Sequence, residues 1–365
     1  MFSKDPESIE RIVVLCFPGL GDTILFSPCI TPIRSHFRNA EITIVTMFKS
    51  SAQVLEKNPE VDRVFYQDFL NAPISASLRY FANLRKQKYD LSILPFPSYR
   101  REYNIASYLV GAKYRAAHRF PTGYISQLTF LNNITVPVER SVHNAQNNLN
   151  LLSALGMNIT DHKNYRLEVT VDANDLKDAD STLESLNISH DDMIIGIHPG
   201  SFGRAKEKRW SEENFAGLCE LLDKKFGAKI LMFIGPEEVD LADKITTLCN
   251  VKLYPVVNKP IRTVYALLKL CKLLICDDSG LMHLGAAANT KIVAIFGPTD
   301  NRILFPWGPE HRIVRSGIEC SPCYYYDQVR SKNSPLILCT NSDKFACIKS
   351  IALNNVMDSV NDLLS

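Results

Sequence analysis

Short runs of β-branched and other apolar residues recur along this chain, separated by patterns of helical spacing. A first set of runs lies at residues 12–17, 42–45, 63–66 and 91–94, and a second set lies at 194–197, 229–234, 251–254, 273–275 and 291–295. Strands that are apolar at every position are buried on both faces, which is typical of parallel sheets covered by helices. The two sets therefore predict two α/β units, each with its own parallel sheet.

The length of 365 residues exceeds the usual size of one hydrophobic core, so two domains are also expected on this ground. We predict an N-terminal domain over 1–175 and a C-terminal domain over 190–348. The polar stretch near 172–190, after a strand-like segment at 165–171, is the predicted linker.

Two further segments are predicted beside these domains. The tail at 349–365 has the spacing of an amphipathic helix that could pack back on the N-terminal domain, and residues 316–348 form a cysteine-rich segment of the C-terminal domain. The clearest helix begins at a Ser211 cap and ends before Gly227.

Charge and composition limit the partners and the location. A formal net charge of +2 argues against nucleic acid as a partner. The first six residues include an acid and a proline where a signal peptide has an apolar core, and no run reaches the roughly 18 apolar residues of a spanning helix. The sequence therefore predicts a cytoplasmic protein with no transmembrane segment.

The chain has ten cysteines, which in that compartment are expected as reduced thiols or metal ligands. Six of them lie in apolar patterns and are predicted to be core residues: Cys16, Cys29, Cys219, Cys249, Cys271 and Cys276.

The most informative motif covers residues 276–283 and reads CDDSGLMH. It joins an apolar strand to a small-residue helix, so Ser279 and Gly280 stand at the helix start and His283 follows one turn later. A helix N-terminus has unpaired N–H groups and a partial positive charge, and a phosphate docked there meets several donors. The alternative is that Asp278 and Ser279 only cap the helix and His283 is an interior histidine.

A second loop, residues 17–24, reads FPGLGDTI and follows the first predicted strand. It partly matches the dinucleotide-binding pattern G-x-G-x-x-G, but Ile24 stands where the third glycine belongs, so it supports a dinucleotide fold only weakly. Asp22 is either a helix cap or a carboxylate at the sheet edge that can take a proton from a substrate hydroxyl.

The third loop, residues 197–210, reads IHPGSFGRAKEKRW. Its glycines permit a tight backbone, and Arg204, Lys206, Lys208 and Arg209 bring cations to the carboxyl end of a strand, where a diphosphate is the natural ligand. A solvated run of surface charges is the alternative.

The fourth loop, residues 234–238, reads IGPEE after another strand. In doubly wound folds an acid at this position accepts hydrogen bonds from the ribose hydroxyls of a nucleotide, which is the role considered for Glu238. Alternatively, Glu238 is an ordinary acid at the start of the next helix.

Together with FGPTD at 296–300, these motifs occur in the order and at the approximate intervals of a known family. Over nearly the whole chain they resemble the ADP-heptose heptosyltransferases of glycosyltransferase family 9. The resemblance implies an α/β protein of GT-B architecture, with two facing Rossmann-like doubly wound domains and a central cleft. The N-terminal domain would bind the acceptor, and the C-terminal domain would bind the nucleotide sugar.

The resemblance also implies roles for individual residues. It makes Asp22 the catalytic base of an inverting transferase, and the implied donor-binding residues are Gly21, Ser201, Lys208, Glu238, Asp278, Ser279, Gly280 and His283. Among these, Lys208 would bind the diphosphate and Glu238 the ribose. Residues 95–101 depart from the family pattern, because prolines and arginines stand where many relatives carry an acid, and this leaves the acceptor open.

Four cysteines form the densest thiol group of the chain: Cys320, Cys323, Cys339 and Cys347. A C-x2-C pair followed by two more cysteines is the spacing of a closed tetrahedral metal site, and four thiolates favour zinc or iron. The family branch that heptosylates autotransporter adhesins is similar in the first three cysteines and has a finger that holds iron. The alternative is that Cys339 and Cys347 are core thiols.

Three classes of function are compatible with these observations. The first is transfer of a heptose or similar sugar from an ADP-sugar to a hydroxyl of a lipopolysaccharide core, another glycan or a protein, with no cofactor required and with oligomerisation possible. Such an enzyme could lie peripheral to the bacterial inner membrane. The others are a nucleotide-binding scaffold without transfer activity and a nicotinamide-dependent oxidoreductase.

Overall fold

A computed structural model describes residues 5–121, 125–201, 205–308, 310–324 and 339–365. It divides into two compact units, Met1–Thr170 and Val171–Ser365. Each unit contains one six-stranded sheet in which all neighbouring strands pair in parallel. The predicted α/β class with two doubly wound sheets is therefore confirmed.

The first unit has the strand order β3-β2-β1-β4-β5-β6. Its strands are β1 Arg11–Cys16, β2 Glu41–Thr46, β3 Arg63–Tyr66, β4 Leu91–Ile93, β5 Tyr114–Arg119 and β6 Ile134–Pro137. Its helices are α1 Leu20–Phe26, α2 Ile30–His36, α3 Lys49–Leu55, α4 Ile74–Arg85, α5 Arg101–Val110 and α6 Asn144–Ala154, with short 3₁₀ turns at Pro6–Ser8, Ser27–Cys29, Thr129–Leu131 and His162–Asn164.

The second unit has the strand order β12-β11-β10-β7-β8-β9. Its strands are β7 Ile194–His198, β8 Lys229–Ile234, β9 Leu253–Val257, β10 Leu273–Asp277, β11 Ile292–Ile295 and β12 His311–Val314. Its helices are α7 Ala173–Ser185, α8 Glu212–Phe226, α9 Val239–Leu248, α10 Ile261–Leu270, α11 Gly280–Ala287, α12 Asn301–Leu304, α13 Ala346–Lys349 and α14 Leu353–Leu364, with a 3₁₀ turn at Lys206–Lys208.

The central strands are buried on both faces, as their uninterrupted apolar composition predicts. All five residues of β7 and all five of β10 are buried. The helices pack their apolar faces on these strands. In the second unit, for example, Phe215, Leu218 and Leu222 of α8 join the core around β7 and β8.

Helix α8 follows its predicted signals. The Ser211 hydroxyl accepts a hydrogen bond from the backbone N–H of Asn214, and Gly227 ends the helix in the left-handed conformation at φ +59°.

The segment predicted as a linker is instead the start of the second unit. The Asp172 carboxylate accepts hydrogen bonds from the backbone N–H groups of Asn174 and Asp175 and so caps α7. The Asp175 carboxylate lies 3.0 Å from Arg262 Nε of α10, which ties α7 to that unit. The polar residues are thus caps and ion-pair partners. The strand-like segment at 165–171 pairs with no strand among the described residues.

The C-terminal helix also differs from the expectation. We predicted that it could pack back on the N-terminal domain, but Val356, Val360 and Leu363 of α14 belong to the hydrophobic core of the second unit. Its apolar face covers α8 and the strands β11 and β12. None of the described helices is both long and apolar enough to span a bilayer.

Candidate functional site

The second sheet reverses its strand order between β7 and β10. The chain continues from β7 to β8 on one side and from β10 to β11 on the other. Helices that follow such strands lie on opposite faces of the sheet, and this opens a crevice at the carboxyl ends where ligands bind. The predicted loops follow β7, β8, β10 and β11, so all four begin at this edge of the second unit.

Lys208 and Asp278 meet at this edge, although they follow different strands. Lys208 Nζ donates a hydrogen bond to Asp278 Oδ2 at 2.7 Å, and Thr299 Oγ1 donates to the same oxygen at 2.6 Å. The Lys208 side chain is 14 % exposed and that of Asp278 is 6 % exposed. A nearly buried ion pair is therefore anchored by a hydroxyl from the loop after β11.

Two opposing effects act on the pKa of Asp278. Burial raises it, but the Lys208 ammonium and the hydrogen bonds from Lys208 and Thr299 outweigh burial, so the pKa lies below its usual value. Asp278 is therefore a carboxylate at neutral pH. It holds the Lys208 ammonium at the edge of the crevice.

The neighbouring Asp277 has a different part in the structure. Its fully buried carboxylate accepts the backbone N–H of Trp210 at 3.1 Å, and the Trp210 indole donates to the carbonyl of Ile351 at 2.9 Å. Burial raises the pKa of Asp277 well above its usual value, against the lowering effects of Trp210 and Arg209. Asp277 thus fixes the end of the cationic loop to the sheet.

Glu238 lies in a tight backbone cradle. Its Oε2 accepts the N–H of Gly235 at 2.8 Å, and a Cβ built on Gly200 would overlap its carboxylate group. His198 Nδ1 lies 3.9 Å from Oε2, and Arg209 lies 3.8 Å from Oε1. Glycine is therefore required at position 200 for the carboxylate to occupy this place.

Ser201 is part of the loop's internal support. Its Oγ donates to the carbonyl of Ala205 at 2.8 Å and accepts from Arg209 Nε at 3.1 Å. Arg209 also donates to the Ser201 carbonyl at 2.9 Å. Arg204, which was predicted to add a cation here, lies outside the described residues.

Helix α11 presents unused polar atoms at the same edge. Ser279 occupies the N-cap position, yet its Oγ is buried and has no hydrogen-bond partner among the described residues, and the same holds for His283 Nδ1. Burial lowers the pKa of His283 to about 4, so the imidazole is neutral at pH 7. Buried polar atoms normally have partners, so these two are candidates for ligand contacts.

The close approach of α11 to the sheet explains its small residues. A Cβ built on Gly285 would lie 2.6 Å from Leu274 Cδ2 of β10, so only glycine fits at this helix position without a shift. The second half of α11 is therefore held against the first part of β10, while the helix start at Gly280 follows the end of β10 after two residues.

In the first unit the strand order reverses between β1 and β4, and α1, which contains Asp22, is the helix that follows β1. The helix cap is Gly19, not Asp22, which lies with Gly21 in the first turn of α1. Burial raises the pKa of the nearby Tyr103, and the Asp22 charge adds to this effect. The Tyr103 ring in turn contacts the Phe17 ring at 5.3 Å. The carboxylate thus lies near the carboxyl ends of the central strands.

The predicted site residues fall into two groups. Asp22 and Gly21 belong to the first unit, and the others belong to the second, where the structure brings together Lys208 with Asp278 and Glu238 with Arg209. Thr299 was in a predicted motif without a role. Its position could have been inferred, because β11 lies beside β10 in a parallel sheet.

The four clustered cysteines are close enough for their charges to interact. Burial raises the pKa of Cys347 to about 11, and negative charge on Cys323, Cys320 and Cys339 adds to it. Within the described part of the chain, however, no group of three or more His, Cys, Asp or Glu side chains is arranged to hold a metal ion. The predicted closed four-cysteine site is therefore not formed there.

The other six cysteines follow the prediction with one exception. Cys16, Cys29, Cys219, Cys271 and Cys276 are buried, whereas Cys249 is half-buried at the end of α9.

Two doubly wound units, one with a cation-bearing crevice at its strand reversal, are the components of the GT-B class of glycosyltransferases. A comparison with known protein families identifies one of them. The chain belongs to glycosyltransferase family 9 (heptosyltransferase), whose sequence profile matches residues 78–333. The predicted family and enzyme class are thereby confirmed, in preference to the scaffold and the oxidoreductase.

Individual relatives agree with this assignment. Lipooligosaccharide heptosyltransferase 2 of Campylobacter jejuni is 26% identical over 94% of this chain and 95% of its own length. The structure of E. coli ADP-heptose lps heptosyltransferase II superposes with a TM-score of 0.74 at 18% identity, covering 97% of this chain and 98% of that one. The iron-containing dodecameric glycosyltransferase TibC from enterotoxigenic E. coli has a TM-score of 0.57 at 15% identity, covering 100% and 77%.

Proposed function

We propose that this enzyme transfers a heptose from ADP-heptose to a hydroxyl group of the lipopolysaccharide or lipooligosaccharide core, with inversion at the anomeric carbon. The observation that carries the proposal is the crevice of the second unit, where the Lys208 ammonium pairs with Asp278 and its charge acts on His283. At the same edge, Ser279 Oγ and His283 Nδ1 have no hydrogen-bond partner among the described residues. Family membership and the names of the curated relatives support the sugar and the acceptor.

The second unit supplies the donor-binding residues in this proposal. Lys208 binds the diphosphate as a cation, while the Ser279 hydroxyl, the Gly280 N–H and His283 donate hydrogen bonds to its oxygens. Because His283 is neutral, it contributes a directed donor without a second positive charge. Asp278 holds Lys208 at the crevice.

The remaining donor contacts concern the nucleoside. Glu238 accepts hydrogen bonds from the ribose hydroxyls, a role that suits a carboxylate held against backbone N–H and glycine. Ser201 shapes the loop after β7, which also contains Lys208. Gly21 permits close approach of the donor to α1. The second unit is thus the donor domain and the first unit the acceptor domain.

The chemical step in this proposal is a single displacement. Asp22 takes the proton of the acceptor hydroxyl as its oxygen attacks the anomeric carbon. The bond from that carbon to the β-phosphate oxygen breaks, and ADP leaves with the electron pair. Lys208 and the α11 N-terminus stabilise the charge that develops on the departing diphosphate. No cofactor is required for this step.

A core-sugar acceptor places the enzyme in the bacterial cytoplasm at the inner membrane as a peripheral protein. A protein acceptor, such as an autotransporter adhesin, is the alternative outcome. Mass analysis after incubation with ADP-heptose and either a truncated core oligosaccharide or an adhesin fragment would distinguish them, because only the true acceptor gains one heptose. Size-exclusion chromatography of the same preparation would report whether the chain forms oligomers.

The donor proposal predicts stabilisation by ADP. A ligand that binds only the folded state at 100 times its Kd adds about 2.7 kcal/mol, so ADP should raise the Tm. Lys208→Ala and Glu238→Ala should each reduce this shift, measured by thermal denaturation. Lys244→Ala, an exposed lysine of the same unit, is the matched control and should keep the shift. Stabilisation by NAD but not by ADP would contradict the proposal.

We further propose that Cys320, Cys323, Cys339 and Cys347 hold one structural iron or zinc ion. The other three cysteines lie near enough to Cys347 that negative charge on them would raise its pKa, and a soft divalent cation bound by the four thiolates would offset such repulsion. Two sulfur atoms already accept hydrogen bonds, from Asn341 to Cys320 and from the Phe345 N–H to Cys339. Since the described thiols are not yet a ligand group, the ion would have to draw them together.

Metal analysis tests this second proposal. Protein purified without chelator should contain about one iron or zinc ion per chain. Cys320→Ser combined with Cys323→Ser should release it and increase proteolysis within 316–350, because metal binding supplies local folding energy. Cys249→Ser, a half-buried cysteine outside the cluster, should keep the metal. Metal-free wild-type protein that is equally protected would show that the four thiols only pack.

A further inference from the structure

Tyr324 lies beside the donor crevice and directly follows Cys323 in the cysteine-rich segment, but no role has been given to it above. Its ring centroid is 5.4 Å from Lys208 Nζ, within the range of a cation–π interaction. The Lys208 ammonium therefore contacts two groups of different kinds, the Asp278 carboxylate and the face of an aromatic ring.

The backbone of Tyr324 is fixed to the loop that follows β11. The N–H groups of Cys323 and Tyr324 donate to the Pro298 carbonyl at 2.9 and 3.0 Å, and Tyr324 forms a parallel bridge with Thr299. Thr299 is the residue that donates to Asp278. The ring and the carboxylate that hold Lys208 are thus attached to the same loop.

A second pair of hydrogen bonds holds the segment before Tyr324 in place. The Ser321 hydroxyl donates to the Gly297 carbonyl at 2.7 Å, and the Arg315 guanidinium donates to the Ser321 carbonyl at 2.9 Å. These contacts precede the ring in the chain and hold its backbone independently of Lys208.

The Lys208–Tyr324 contact is not a by-product of neighbouring positions in the sequence. The other lysine–aromatic contacts of the described residues join side chains one or two positions apart, as in Lys113 with Tyr114 and Lys252 with Tyr254. Lys208 and Tyr324 follow different strands and meet only in the folded unit.

An aromatic face and a carboxylate act differently on an ammonium group. The carboxylate neutralises it, whereas the ring attracts it without removing its charge or using its N–H donors. A lysine side chain is flexible, and a partner that restricts it before the ligand arrives lowers the entropy lost on binding. The ring can therefore direct Lys208 while leaving it able to bind an anion.

We propose that Tyr324 is a positioning residue that aims Lys208 at the diphosphate of the donor. This inference rests on the proposed function, in which Lys208 binds that diphosphate. Tyr324 acts through Lys208 by means of its ring face, and its hydroxyl has no part in the effect.

Isothermal titration with ADP and AMP tests this inference in the purified full-length protein. Tyr324→Leu should raise the Kd for ADP by about 3- to 30-fold, the range of a cation–π contact, and should change the Kd for AMP less. Tyr324→Phe keeps the ring face and should bind ADP like the wild type. In steady-state transfer, Tyr324→Leu should raise KM for the donor more than it lowers kcat.

Controls separate positioning from general destabilisation. Tyr108→Leu removes a ring that packs 5.8 Å from Arg115 in the other unit and should leave ADP binding unchanged. Unaltered ADP affinity in Tyr324→Leu would overturn the inference, as would equal losses in the Leu and Phe variants. Absence of ADP binding in the wild type would instead contradict the proposed function.

Discussion

Asp22→Asn is expected to lower the turnover of sugar transfer by about 100- to 10,000-fold, because positioned acid–base catalysis contributes an effect of this size. Asparagine has nearly the same shape but cannot take the proton of the acceptor hydroxyl. Donor affinity should survive, since the donor-binding residues proposed above lie mainly in the second unit. The measurement is kcat for heptose transfer together with the Kd for ADP.

The matched control removes a charge from a similar place in another helix. Glu213 lies in the first turn of α8, as Asp22 lies in the first turn of α1, so Glu213→Gln reproduces the loss of a favourable helix-dipole interaction without touching the proposed base. Its transfer rate should be normal. A near-normal rate in Asp22→Asn would remove this residue from the proposed mechanism.

Gly200→Ala should weaken ADP binding by about 10- to 150-fold, the effect of losing a hydrogen bond to a charged group. The added methyl group would overlap the Glu238 carboxylate, which would have to leave the Gly235 N–H that holds it. Gly217→Ala tests a glycine of the same unit whose added Cβ meets only Leu353 Cδ2, at 3.2 Å, and ADP binding should be kept.

A double-mutant cycle shows whether Gly200→Ala acts through the carboxylate. If the methyl group only displaces Glu238, then Gly200→Ala combined with Glu238→Ala should bind ADP no worse than Glu238→Ala alone. Additive losses would mean that Gly200 serves the donor directly, for example by letting the backbone approach it. The Tm of Gly200→Ala, of Glu238→Ala and of the double variant should also be measured without ligand, so that weaker ADP binding is not confused with lower stability.

The sequence predicts the central strands well because their physical signal is simple. Strands such as β8 and β10 are covered on both faces and therefore consist of apolar residues, apart from Lys229 at the start of β8 and Asp277 at the end of β10. Strands β5, β6 and β12 were missed. They contain charged or partly exposed residues, as in β5 with Arg115 and Arg119, because strands toward the sheet edge need less apolar surface.

The loops at the strand ends were predictable as a group, but their contacts were not. That Lys208 would reach Asp278 depends on β7 and β10 being neighbours, which is a property of strand order. The aromatic contact of Lys208 depends on a segment from the far end of the unit. Short-range patterns contain no information on such pairings, since they form only when distant parts of the chain pack together.

The two sheets repeat one plan of strand order, each reversing direction after its third strand, although the sequence shows no internal repeat. An arrangement can thus be duplicated without any duplicated residues, because it depends on burial and connection length and not on particular side chains. Each half then carries its own crevice at its own reversal. Substitutions that alter the recognition of one substrate can accumulate in one half of the chain while the other half keeps its affinity for the second substrate. Under the proposed division into a donor domain and an acceptor domain, new acceptors can be acquired without redesign of the nucleotide site.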